Sequence, residues 1–259
     1  MLNLNQIEKY FEKKITRLNS KGIVVEYLQY EILDSLFKQK GSEYLSFIGG
    51  TAIRIIYDSQ RFSEDLDFDN FGLTYNKFKE IMVKVLTELE LKGFSVEKRF
   101  LSKNRNYHCY IKFKDILQGF GIAKDKKEKI FLSIDVEKKE KIVNPKLTTI
   151  NKFGVYRKIL VNPPDVLLAQ KLLAVFFRKR EKGRDFYDVS FLSAKTRPNY
   201  PYIEGVTGLK KDEFIGRMKE KCSKLDFKYL ANDVEPFLFD AEQKERVLGF
   251  DEEINTILL

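Results

Sequence analysis

Two aspartates one residue apart, in Asp65-Leu66-Asp67-Phe68, are the first residues in this sequence whose types and spacing could do chemistry. Side chains alternate faces along an extended strand, so Asp65 and Asp67 share one face while Leu66 and Phe68 turn to the core. Aspartate is disfavoured in strands, and neighbouring carboxylates repel each other. A cation would relieve both penalties. Magnesium takes hard oxygen ligands, commonly one or two carboxylates with water and substrate phosphate completing the shell. Asp69 is assigned to the opposite face and left out. A third acid comes from Ile130-Phe131-Leu132-Ser133-Ile134-Asp135-Val136, a strand pattern with Asp135 at its polar end and Glu137 on the same face as the fallback. On a strand beside Asp65 and Asp67, Asp135 would complete a site able to hold two metals about 3.5–4 Å apart. The plain alternative for these acids is a solvated strand end.

A place for phosphate precedes the acids. Gly49-Gly50-Thr51 reads as the end of a strand entering a helix. Glycine lets backbone approach a phosphate closely, and a helix N-terminus adds free N–H groups and a favourable dipole. Alone, such a pair is more often just a turn. Ser63 lies two residues before Asp65 and shares its parity; a phosphate added there would set about two negative charges beside the acids and silence them. A second constellation follows much later. Lys171, Ala174 and Arg178 sit at i, i+3 and i+7 on one helical face, opposite an apolar stripe of Leu168, Leu172, Val175 and Phe176. Arg184-Asp185-Phe186-Tyr187-Asp188 comes next, with Arg184 and Asp188 four apart and Asp185 and Asp188 three apart. A lysine here could neutralise triphosphate charge in a transition state; the bland reading is a charged, solvated face with local ion pairs.

These groups need elements to hold them. Helical spacing covers residues 3–18, Val24–Phe37, Thr51–Tyr57 and Asn76–Leu91. Strand patterns cover Tyr44–Ile48, Asp65–Phe68, Phe94–Phe100, Tyr107–Phe113, Ile130–Val136 and Val155–Val161. After Pro163-Pro164 the pattern turns helical, at Pro164–Arg180, Arg184–Leu192, Asp212–Cys222 and Lys224–Asn232, with Ala194–Thr207 read as a loop. Two lobes are expected: a mixed α/β lobe over 1–161 and a helical lobe over 162–259 that completes the active-site cleft.

Composition bounds the rest. The 259 residues are 43% hydrophobic and 33% charged, enough for a folded core and unlike a disordered chain. The most apolar stretch, Val166–Phe177, is interrupted by Gln170 and Lys171, so no membrane span is expected. The N-terminus has no apolar signal core, which points to the cytoplasm. Cys109 and Cys222 are too few for a disulfide framework. The single histidine, His108, excludes the two-histidine zinc motif and is read as a surface or partly buried residue. The net charge of +9, with lysine clusters at Lys124–Lys129 and Lys138–Lys141, suits an anionic partner or a solvated basic face.

The combination has a recognisable order. FIGGTAIRIIYDSQRFSEDLDFD resembles the opening motif of DNA-polymerase-β-like nucleotidyltransferases, and more closely that of the AbiEii/AbiGii abortive-infection toxins of type IV toxin–antitoxin systems. The family signature is Gly-Gly-Thr-Ala-Leu-Arg, a gap, then Arg-x-Ser-x-Asp-Leu-Asp-Phe. Gly49–Arg54 and Arg61–Phe68 match it, with Ile53 in place of leucine. Lys171 followed by Arg184-Asp185-Phe186-Tyr187-Asp188 is similar to the later lysine helix and Arg-Asp-x-x-Asp element.

This resemblance implies an α+β nucleotidyltransferase fold: a small mixed sheet flanked by helices, then a mainly helical lobe. It implies an NTP substrate, Mg²⁺ or Mn²⁺, a cognate antitoxin, phage defence, and an RNA acceptor of which tRNA is favoured. Gly49, Gly50 and Thr51 would hold phosphate, with Ser63, Arg184 and Asp185 as weaker binding candidates. Asp65 and Asp67 would bind metal, with Asp135 as third carboxylate from the wider superfamily. Lys171 would contact the triphosphate and Asp188 would assist. The rivals are a Mg²⁺-dependent nuclease built on Asp67 and Glu137-Lys138-Lys139, and an inactive nucleic-acid-binding module. The base used, the acceptor and the oligomeric state stay open.

Overall fold

Burial alternates strictly along two neighbouring stretches, and this alternation explains how the sheet is held. Cys109, Ile111 and Phe113, and across from them Ile130, Leu132, Ile134 and Val136, are buried, while Tyr110 and Phe131 between them are exposed. A strand with one face on a core and one in water gives this period of two. The computed structural model describes residues 1–125, 128–139 and 143–258. Among these the chain divides into two units, one of residues 1–56, 62–125, 128–139 and 145–161, the other of 57–61, 143–144 and 162–258.

The first unit runs through α1 (Leu4–Glu8), α2 (Lys13–Leu18), α3 (Ser20–Leu36), β1 (Leu45–Ile48), α4 (Gly49–Tyr57, whose last residue belongs to the second unit), β2 (Leu66–Asn70), α5 (Tyr75–Leu91), β3 (Ser95–Lys103), β4 (Asn106–Lys114), α6 (Ile116–Gly119), β5 (Ile130–Lys138), β6 (Lys146–Lys152) and β7 (Val155–Val161). The seven strands form one sheet in the order β3-β4-β5-β2-β1-β7-β6. It is mixed: β2 pairs with β5, and β1 with β7, in parallel, and the other pairs are antiparallel. Helix α5 opens on Thr74, whose hydroxyl caps the Lys77 N–H, and buries Phe78, Ile81, Met82, Val85, Leu86 and Leu89 in a stripe at helical spacing. Truncating Phe78, which is wholly buried, would cost about 3–5 kcal/mol. Helix α3 is buried from Tyr27 to Leu36.

The second unit holds α7 (Pro164–Phe177), α8 (Gly183–Ser193), α9 (Tyr200–Thr207), α10 (Lys211–Cys222), α11 (Phe227–Val234), α12 (Glu245–Leu248) and α13 (Phe250–Ile257). Phe186, Phe227 and Phe250 form its aromatic centre, with ring centroids 5.1–5.7 Å apart. Gly183 lets α8 approach α11, because a Cβ there would strike the Leu230 carbonyl.

Several expectations need correction. Residues 3–18 form two short helices, not one: the Asn3/Gln6 capping box opens α1, and Lys9 ends it. Strand β6 had no apolar alternation to reveal it, since only Ile150 of its seven residues is buried. The stretch expected as loop contains α9; Asn199 caps it, and Pro201 sits in the first turn, where its missing N–H costs nothing. The helix expected to reach Arg180 ends at Phe177, and Arg178 is extended. Helices α12 and α13 were not anticipated. Asp69 is not on the opposite face: the two-residue period puts it with Asp67, and it is 1% exposed. Of the lysine clusters, Lys126, Lys127 and Lys141 lie outside the described residues. Among the described residues no helix is long and apolar enough to cross a membrane. Both cysteines are free and buried, and burial pushes each thiol up to about 12.

Candidate active site

Strand pairing decides which acids meet. In the parallel β2–β5 register Asp67 stands opposite Asp135, Ile48 of β1 flanks Asp67, and His108 of β4 flanks Asp135. Ile48, Asp67, Asp135 and His108 thus form one row across four strands on one face. The next row holds Asp69, Glu137 and Asn106. A shallow pocket of about 210 Å³ opens over these rows, lined by Asp67, Asp135, His108, Glu137 and Asn106, with Ile48, Phe68 and Val136 at its apolar edge. Asp135 Oδ1 accepts from Ser133 Oγ at 2.7 Å and lies 2.6 Å from His108 Nδ1. Glu137 is more exposed and pairs with Lys139 at 2.8 Å. The register therefore puts Asp135, rather than Glu137, beside Asp67.

The segment before β2 is fixed by its neighbours. Gly49 adopts φ +78°, and a Cβ on it would overlap the Asp67 carboxylate. Glycine is needed here twice, for the left-handed backbone and for the room it leaves to Asp67. Gly50 is buried in the first turn of α4. Thr51 is fully buried and its hydroxyl donates to the Asp65 carbonyl. It positions Asp65 by its side chain instead of presenting a hydroxyl to solvent. Gln29, 1% exposed, donates to the carbonyls of Ser63 and Glu64 at 2.8 and 3.0 Å. Ser63, Asp65 and Asp67 are half-buried; Asp65 precedes the first residue of β2 and is not part of the pocket wall.

Among the described residues no three Asp, Glu, His or Cys side chains are gathered as a ready-made metal cage. The donors nonetheless suit Mg²⁺, which needs only one or two carboxylates from the protein. The space kept open at Gly49 for the Asp67 carboxylate is the feature of the chain that fits this.

The second unit contains a buried ion network. Arg61, 1% exposed, forks onto Asp188, with Nε–Oδ1 2.7 Å and Nη2–Oδ2 2.6 Å. Lys171 Nζ lies 2.8 Å from Asp188 Oδ2 and 3.2 Å from Asp185 Oδ1, and Arg178 Nε lies 3.0 Å from Asp185 Oδ2. Burial pushes the Asp188 carboxyl up, but Arg61 and Lys171 outweigh it and hold the group below its ordinary value. Burial pulls Lys171 down, and Asp188 with Asp185 lifts it above the usual lysine value. Asp188 and Lys171 thus favour each other's charged form. Asp188 is enclosed by its two cations, while Arg184 places its guanidinium over the Phe237 ring at 5.8 Å.

Some of these residues have no local signature in the sequence. Arg61 stood inside the quoted motif but drew no role, because its partner is 127 positions away. His108 carries no local signal in the sequence; only the β4–β5 register brings it beside Asp135. Gln29, on a helix distant in sequence, carried no signal.

The fold is that of solved nucleotidyltransferases. A Helicobacter pylori protein described as a candidate nucleotidyltransferase is similar with a TM-score of 0.58, 20% identity, and coverage of 92% of this chain and 94% of its own. JHP933 from Helicobacter pylori is similar with a TM-score of 0.57, 19% identity, and coverage of 92% and 91%. Residues 31–251 match the family described as Nucleotidyl transferase AbiEii toxin, Type IV TA system. The chain belongs to this family of nucleotidyltransferase toxins, which implies a cognate antitoxin. No curated protein matches it.

Proposed function

We propose that the chain moves a nucleoside monophosphate from an NTP to the hydroxyl of an RNA acceptor, with tRNA favoured, as the toxin of its pair. The observation that carries this reading is the pairing of Asp67 with Asp135 beside the Gly49 turn. Mg²⁺ or Mn²⁺, held by Asp65 and Asp67 with Asp135 completing the acidic row, would offset triphosphate charge. The acceptor oxygen bonds to the α-phosphorus, the bond to the bridging oxygen breaks, and pyrophosphate leaves; the hydroxyl proton passes to the acidic row or to water. Thr51 holds Asp65 in place, and the α4 N-terminus offers backbone N–H groups to phosphate. Within the second unit Asp188 favours the charged form of Lys171. Phage defence and action in the cytoplasm belong to this proposal.

The test is a panel of labelled NTPs with total RNA, each nucleotide separately. RNA gaining label supports transfer, with loss of label in Asp65→Ala and Asp67→Ala. RNA shortened without label means the nuclease reading is right. Unchanged toxicity of the double alanine variant would favour a binding module.

A further inference from the structure

The sheet face that carries the acidic row continues across β5, β4 and β3, where Glu97, Arg99, Tyr110 and Phe131 are exposed. One row beyond His108 and Asp135 lie Arg99, Tyr110 and Ser133; the row after that holds Glu97, Lys112 and Phe131; Lys114 follows. Tyr110 is 41% exposed and Phe131 69%, although the residues between them on the same strands are buried on the reverse face. Single exposed apolar residues need no explanation. Here two rings stand on adjoining strands in consecutive rows, with a cation beside each: Arg99 opposite Tyr110, and Lys112 opposite Phe131. In these rows Arg99, Lys112 and Lys114 face one acid, Glu97, which Lys112 and Lys114 already pair at 2.6 and 3.3 Å. The His108 ring lies parallel to Tyr110 at 5.9 Å and its Nδ1 is 2.6 Å from Asp135, so Tyr110 is linked to the acidic row through His108.

We infer that this face is a stacking platform for a single-stranded stretch of RNA, which it leads to the acidic row. Exposed rings take the base faces and neighbouring cations take the phosphates, the arrangement by which single strands are bound without reading sequence. A duplex fits poorly, because its bases are already stacked on each other. Continuity with the Asp67–Asp135 row selects nucleic acid over a protein partner: a single strand crossing these rows in turn would present its end to the acids. The inference rests on the transferase reading for the identity of the acceptor, but the binding it describes can be measured without NTP.

The experiment uses the full chain and a short fluorescein-labelled oligoribonucleotide, single-stranded or annealed to its complement, with NTP omitted and anisotropy read at low and physiological salt. The single strand is expected to bind more tightly than the duplex. Tyr110→Ala and Phe131→Ala should each weaken it roughly five- to 150-fold, Tyr110→Phe should retain binding, and Arg99→Ala should flatten the salt dependence. Because both rings are exposed, the alanine variants should keep wild-type circular dichroism. Alanine variants that bind within twofold of wild type, or equal binding of strand and duplex, would overturn the platform. So would variants that keep RNA binding and lose neutralisation by a co-expressed antitoxin, which would make the face a protein dock. If RNA binds through these rings but no NTP transfers label, the transferase reading fails and the platform stands. If label goes to another acceptor and the oligoribonucleotide does not bind, the platform fails alone.

Discussion

Gly49→Ala tests the local logic of the site more sharply than removal of an acid. The left-handed backbone at φ +78° costs an L-residue about 1–2 kcal/mol. The new Cβ also lands on the Asp67 carboxylate, with Asp67 Cγ at 2.9 Å and Cβ at 3.0 Å behind it. Forcing that overlap adds about 1–3 kcal/mol, so the variant should lose about 2–5 kcal/mol. The two costs separate in an Asp67→Ala background, where the colliding carboxylate is gone and only the backbone cost and one tight Cβ contact remain. Gly49→Ala should then cost about 1–2 kcal/mol, a coupling of about 1–3 kcal/mol between the positions. Two units need not unfold together, so the measurement should be hydrogen exchange of peptides from β1, β2 and β5. Transfer activity of the single variant should be lost with Asp67 displaced. An equal cost of Gly49→Ala in both backgrounds would refute the claim that this glycine exists to make room for Asp67.

Four further outcomes follow from the same contacts. Asp188→Asn leaves Arg61 and Lys171 buried without their carboxylate and should destabilise the second unit by about 3–5 kcal/mol, read by exchange in α7 and α8; a change below 1 kcal/mol would show the network to be slack. The pH profile should agree in sign. Asp188 is depressed below 3.8 in the fold, so its stabilisation is complete above the unfolded value and fades as pH falls through the folded one. Lys171 is raised above 10.5, so its contribution is complete below that value and is lost as pH rises through the folded one; in Asp188→Asn the acid-side loss should shrink. Thr51→Val removes the hydroxyl that bonds the Asp65 carbonyl and should cost about 1–3 kcal/mol and most of the transfer rate, with Thr51→Ser restoring both. Ser63→Asp should abolish label transfer while leaving thermal unfolding near wild type; full transfer by this variant would dismiss Ser63 as a neighbour of the acids.

What could be read from the sequence follows the range of the interaction that encodes it. Helix α5 carries six buried residues at helical spacing behind a threonine cap, and its limits were expected to within a residue. Strands β4 and β5 announce themselves by alternation. Strand β6 does not, because an edge strand with one buried residue has little apolar pattern to show. Helix α9 is hidden by the Pro198, Asn199, Pro201 and Gly205 that read as a loop, though Asn199 is its cap and proline in a first turn is a normal start of a helix.

The site follows the same rule. Two acids at i and i+2 advertise their common face locally, yet their partners are chosen by sheet register: Asp135 meets Asp67 because β5 pairs in parallel with β2, and His108 is drawn in only through β4. Misplacing Asp69 was a failure of parity, not of long-range information. The short run from Arg61 to Asp67 shows the limit best. Read as one motif, it looks like a single binding element, but its residues answer to different parts of the molecule. Arg61 is counterion to Asp188 in the second unit, whereas Ser63 and Asp65 are tied through their carbonyls to Gln29 and Thr51 in the first. Replacing Arg61 should therefore be felt first in α7 and α8, and replacing Gln29 first in β2, although the two tie points, Arg61 and Ser63, lie two residues apart. Exchange rates that slow or quicken together in both places for either variant would mean the motif acts as one piece.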